Sequence, residues 1–175
     1  MMKKYLWITI IFGLTFFSSS LIQAQFPQDV TGWQNTRWGM SKDELLKTLG
    51  KQLTLIPPGK KPIQGNFLEY EIPNYYIEDI SLTVRFDMEG EKLNRVILTK
   101  WGNEANAAFE KLRMLLSSKY GQNVVNQPER WKKQTEWIFP TTTIVLSLIE
   151  PLGDYKLSFT ALEYRSNKSK GIDKI

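Results

Sequence analysis

The sequence predicts an α+β domain of two layers, one curved antiparallel sheet with two helices on one face. Three observations carry this. Residues 42–49 and 104–119 repeat their apolar side chains at helical spacing and end at glycines. The stretches that follow them alternate apolar and polar residues with the period of half-buried strands. Short turns rich in Gly, Pro and Asp separate those stretches at hairpin distances. The order is helix, three or four strands, helix, three strands, which reads as a helix-plus-three-strand pseudo-repeat.

The first helix opens on Ser41-Lys42-Asp43-Glu44, a capping box in which each side chain serves the other's backbone N–H. Met40 and Leu45 stand at the spacing of a hydrophobic staple, and Gly50 stops the helix. A strand over residues 52–56 and a Pro-rich loop over residues 57–62 come next. Residues 67–72 read as a strand, and Pro73-Asn74-Tyr75-Tyr76 as the turn after it. Ile80, Leu82, Val84 and Phe86 alternate with Ser81, Thr83, Arg85 and Asp87, the clearest strand pattern in the chain. Glu89-Gly90 turns the chain, and residues 93–100 return as the partner strand. Asn103 is placed to cap the second helix and Gly121 to end it. Its apolar face, with Ala108, Leu112 and Leu116, is expected to cover the face bearing Ile80 to Phe86. Three further strands are expected at residues 135–139, 143–150 and 155–164.

Domain limits follow from the ends. Residues 1–24 combine Lys3-Lys4, an apolar run and Ala24, the layout of a secretory signal peptide. The apolar character also approaches the ~20 residues of a membrane span, so an uncleaved anchor is the alternative. Residues 25–164 form one domain, and residues 165–175 a basic tail of disordered composition. The net charge is +5, but residues 25–164 carry 17 positive and 17 negative side chains. The surplus sits at the two ends, which argues against nucleic acid as a partner. Membrane contact is expected only through an uncleaved N-terminal segment.

The chain has no His and no Cys. Thiol nucleophiles, Ser-His-Asp triads and His- or Cys-held zinc are therefore excluded. No serine has a lysine three residues on, and no phosphate-binding glycine loop occurs. No cofactor or metal is expected, and Asp87-Met88-Glu89-Gly90-Glu91 reads as a hairpin turn rather than a calcium loop. Paired carboxylates such as Glu69 with Glu71, or Glu78-Asp79, are the chemistry that remains. Trp38 and Trp137 are assigned to the core. Tyr75, Tyr76, Arg130 and Trp131 are the candidate interaction surface, because aromatics beside basic groups in loops suit a protein interface.

Trp38-Gly39-Met40-Ser41-Lys42-Asp43-Glu44-Leu45 resembles the opening of a group of small exported bacterial proteins of uncharacterised role. Phe86-Asp87, Leu93, Lys119-Tyr120-Gly121 and Trp137 match the same group further along the chain. The helix-plus-meander order is also similar, at fold level, to β-lactamase-inhibitor-protein-like modules, which bind other proteins. The resemblance implies an envelope protein and no catalytic residue.

The expectation is a non-enzymatic exported protein, periplasmic or secreted, that binds an envelope protein or a wall polymer. A glycan- or lipid-binding module is the alternative, and a carboxylate-dependent hydrolase the third reading. N-terminal sequencing of the exported chain is expected to read Gln25 first. Recovery of the uncut N-terminus in the membrane fraction would establish the anchor instead.

Overall fold

A computed structural model of the chain describes residues 29–57, 67–123, 125–128, 131–150 and 157–167. The signal or anchor at residues 1–24, most of the Pro-rich loop, Arg130 and residues 168–175 of the tail lie outside the described residues.

Helix α1 (Lys42–Leu49) forms where the cap places it. The Glu44 N–H donates to Ser41 Oγ at 3.3 Å, and the Ser41 N–H donates to Glu44 Oε2 at 2.9 Å. Met40 and Leu45 are both buried, which completes the staple. Helix α2 (Ala105–Tyr120) differs at its start. Asn103 is not its cap. Glu104 holds that position with helical backbone angles and no side-chain bond to the helix. The chain enters through Gly102, at a φ of 96°, whose carbonyl accepts the Ala105 N–H at 3.0 Å. That tight turn leaves no room for an extended capping residue.

Eight strands form one antiparallel sheet: β1 (Thr54–Leu55), β2 (Phe67–Ile77), β3 (Ile80–Glu89), β4 (Lys92–Trp101), β5 (Val125–Pro128), β6 (Lys132–Ile138), β7 (Thr142–Ile149) and β8 (Phe159–Ser166). Their spatial order is β1-β2-β3-β4-β8-β7-β6-β5. Each helix is thus followed by a meander of four strands, and the last strands of the two meanders pair at the centre.

Three sequence expectations shift. The expected turn at Pro73-Asn74-Tyr75-Tyr76 lies inside β2, because Pro73-Asn74 form a bulge with Asn74 at a φ of 52°. A bulge spares proline the ladder bond it cannot make. The short edge strand β5 has no counterpart in the sequence reading. Finally, β8 runs through Arg165 and Ser166, so the domain extends beyond Tyr164. The hairpin from β3 to β4, by contrast, forms as expected, but its two-residue loop is Gly90-Glu91 rather than Glu89-Gly90, with φ values of 54° and 64° suited to that tight turn.

The core lies on one side of the sheet. Register pairing aligns Val84 with Leu98, Leu98 with Leu162, and Leu162 with Leu146 across four central strands. These residues share one buried cluster with Leu45 and Leu49 of α1 and with Phe109, Leu112 and Leu116 of α2. The helix α2 packs chiefly on β7 and β8 rather than on the Ile80 to Phe86 strand. Residues 29–41 cover that strand instead. Trp33 stands edge-on to Phe86, with ring centres 5.9 Å apart. Asp29 accepts from Thr141 Oγ1 at 2.9 Å, and Gly39 donates to the Leu93 carbonyl at 2.9 Å. This segment therefore ties β7 of one meander to β4 of the other.

Glu44 gives a pH signature. The Ser41 backbone N–H, helped by the Ser41 hydroxyl and the Arg37 guanidinium, holds its carboxyl below the ordinary glutamate value. A lowered folded-state pKa contributes stability that is complete above the unfolded value and is lost as pH falls through the folded one. Thermal midpoints of wild type and Glu44→Gln should therefore differ at neutral pH and converge in acid. A gap that stays constant with pH would refute the assignment.

Candidate functional site

Beyond the bulge in β2, strand alternation turns the two neighbouring tyrosines to opposite sides. Tyr75 pairs with Leu82 on the helix side, and Tyr76 pairs with Ser81 on the other. Trp131 stands in the bend before β6, at the same end of the sheet but five strand intervals away. Five intervals amount to about 24 Å. Tyr75, Tyr76 and Trp131 thus do not form one contiguous patch, and Arg130 lies outside the described residues.

Between Tyr76 and Trp131 runs a row the sequence reading missed. Trp101 ends β4 and Phe159 begins β8. They are register partners on the helix-free side, and their rings stack with centres 4.3 Å apart. Ile149 pairs with Phe159, and Lys132 with Ile149, which extends the row across β7 and β6. Tyr76 is 62% exposed, Trp101 55% and Trp131 40%. Trp101 carries a sequence signal only in hindsight. Its alternation partners Ile97 and Thr99 put it on the non-core side, but no sequence pattern says what lies opposite.

Further along the same side, charges pair across and along the strands. Arg85 donates to Glu71 at 3.0 Å, Arg95 to Asp87 at 2.5 Å, and Arg165 to Glu163 at 2.7 Å, with Arg95 also 3.5 Å from Glu163. Pairs this exposed stabilise by only about 0.2–1 kcal/mol each. Their larger effect is to hold three guanidinium groups in fixed places. The arginines are a quarter to a half exposed and accessible from this side.

The carboxylates considered for catalysis are all engaged. Glu69 meets Lys42, Glu71 meets Arg85, and Glu78 and Asp79 meet Lys111 of α2. Hydrogen bonding from Lys111 holds Asp79 below its usual range. A general acid in a glycosidase needs the opposite shift. Among the described residues no group of three or more acidic side chains is placed to hold a metal.

The helix side holds a pocket of about 610 Å³ between α2, residues 29–34 and β2. Leu162 and Tyr164 form its floor, and Trp33, Tyr75, Leu115 and Tyr120 its walls. Burial pushes the Tyr164 phenol well above the ordinary tyrosine value, and its neighbour Tyr120 adds to the shift. Tyr164 therefore stays neutral at physiological pH. The Gln34 amide donates to the Tyr75 hydroxyl. Lys119 stands at the rim, its Nζ 5.0 Å from the centre of the Tyr120 ring.

Gly32 shapes this wall. A Cβ there would sit 2.0 Å from the Thr36 carbonyl oxygen, within the turn that Thr36 closes by accepting and donating bonds with Trp33. Gly32→Ala should cost about 1–3 kcal/mol by forcing that turn open. Urea unfolding would show it as a lower midpoint with unchanged slope, and an unchanged midpoint would refute the close approach.

No protein-family model matches the chain, and no curated protein or solved structure shows significant similarity to it.

Proposed function

We propose that this chain is an exported, non-enzymatic binding module of the cell envelope that engages a protein partner through the helix-free side of its sheet. One observation carries the reading. Tyr76, Trp101, Arg85, Arg95 and Arg165 share that side, and Tyr, Trp and Arg are the residues that dominate protein interfaces. The arginines are already matched by carboxylates, so the side suits a partner of mixed, near-neutral surface rather than a polyanion.

Two finer features support the same reading. We take each helix with its four strands as one copy of a repeated unit, the copies joined edge to edge at β4 and β8. We also take the sheet as curved, because register shifts in β2–β3 and β3–β4 mark bulges that bend strands. A curved sheet with helices on its outer side offers a concave face to a partner. The absence of His and Cys, and cations set against the candidate carboxylates, support a role without catalysis. The basic, apolar N-terminus and the resemblance of Trp38 to Leu45 to exported bacterial proteins support the location.

The test is capture from an envelope extract on immobilised protein. Tyr76→Ala with Trp101→Ala should weaken capture at least tenfold, as loss of interface aromatics costs about 1–2 kcal/mol each or more. Met114→Ser, on the exposed side of α2, should leave it unchanged. Retention by the folded double variant of every partner that wild type captures would sink the reading. Retention on isolated wall polymer in place of protein would replace it with the glycan-binding alternative.

A further inference from the structure

We infer that the pocket between α2 and residues 29–34 binds a small amphiphilic carboxylate, with its apolar body inside and its acid group at Lys119. The site lies across the sheet from the proposed partner surface and stands independently of it.

Size and lining set the class of ligand. A volume near 610 Å³ falls within the range of small-molecule sites. Trp33, Ile77, Leu112, Leu115 and Leu116 supply an apolar interior. Polar groups in the lining are few, and Gln34 is already engaged with Tyr75. A sugar carries hydroxyls on most of its carbons, and each would need a partner on burial. Trp33 is also unsuited to stacking on a sugar, since it is 4% exposed and held edge-on by both Tyr75 and Phe86. An aliphatic or aromatic body fits without that penalty.

Charge sets the head group. Among the described residues, two charged side chains line the pocket. The Asp29 carboxylate is occupied by the Thr141 N–H at 3.2 Å and the Thr141 hydroxyl. Lys119 rests over the Tyr120 ring and forms no ion pair with any described residue. A carboxylate at the rim would pair with it through a charge-assisted hydrogen bond.

Octanoate is the probe and octanol its uncharged counterpart, each titrated calorimetrically into the full folded protein. Octanoate should bind, and octanol more weakly. Lys119→Glu, at an exposed rim position, should weaken octanoate about tenfold and leave octanol unchanged. Leu115→Trp, which fills the cavity from a half-buried position, should abolish both, with retained thermal unfolding showing that the variant is folded. The proposal falls if octanoate gives no binding heat to wild type. It falls equally if octanol binds as tightly as octanoate and Lys119→Glu changes neither.

Discussion

The pairing of β4 with β8 is the constraint on which the other features rest. Each strand closes its own meander, and the register from Arg95 opposite Arg165 to Trp101 opposite Phe159 joins the meanders into one sheet. A shift of one residue would exchange the two sides of β8. Leu162 and Tyr164 would leave the core, the pocket would lose its floor, and Glu163 would leave the arginines. The stacked pair of Trp101 and Phe159 would separate as well. Core, pocket and the aromatic row on the helix-free side are thus three consequences of one register.

Residues 29–41 reinforce that seam from above. The sheet alone would leave the helix side of β3 bare, because α2 settles on β7 and β8. Trp33 fills the gap over Phe86, while Asp29 and Gly39 fasten the segment to opposite meanders. The pocket is what this arrangement leaves open. Its walls come from three separately placed elements, so the space between them is set by how far each can approach the floor. Gly32 shows how close the fit is on one wall, where a single methyl group meets a backbone oxygen.

Local interactions made much of the fold legible. The Ser41 cap, the β3–β4 hairpin, the Gly121 stop and the alternation from Ile80 to Phe86 depend on residues close together in sequence. Trp137, assigned to the core from its strand context, is 1% exposed and donates to the Gly121 carbonyl at 2.9 Å. The failures share a different cause. Pro73-Asn74 looked like a turn because a turn and a bulge use the same residues, and the pairing with β3 selects between them. Asn103 looked like a cap, and the path out of β4 left Glu104 in its place.

The candidate site was legible only as residue types. Tyr75 and Tyr76 are adjacent aromatics, and the strand they occupy directs them to different sides. Trp101 gained its neighbour Phe159 through pairing between strands that the sequence keeps far apart. The sequence by itself determined the two helices and most strands, the Ser41 cap and the Gly121 stop, a body with balanced charge, and a chemistry without His or Cys. These follow from local backbone preference and composition. Only the tertiary structure decided the central register, the sidedness of the tyrosines and the existence of a pocket, because each arises where distant segments meet and no periodicity within one segment encodes its partner.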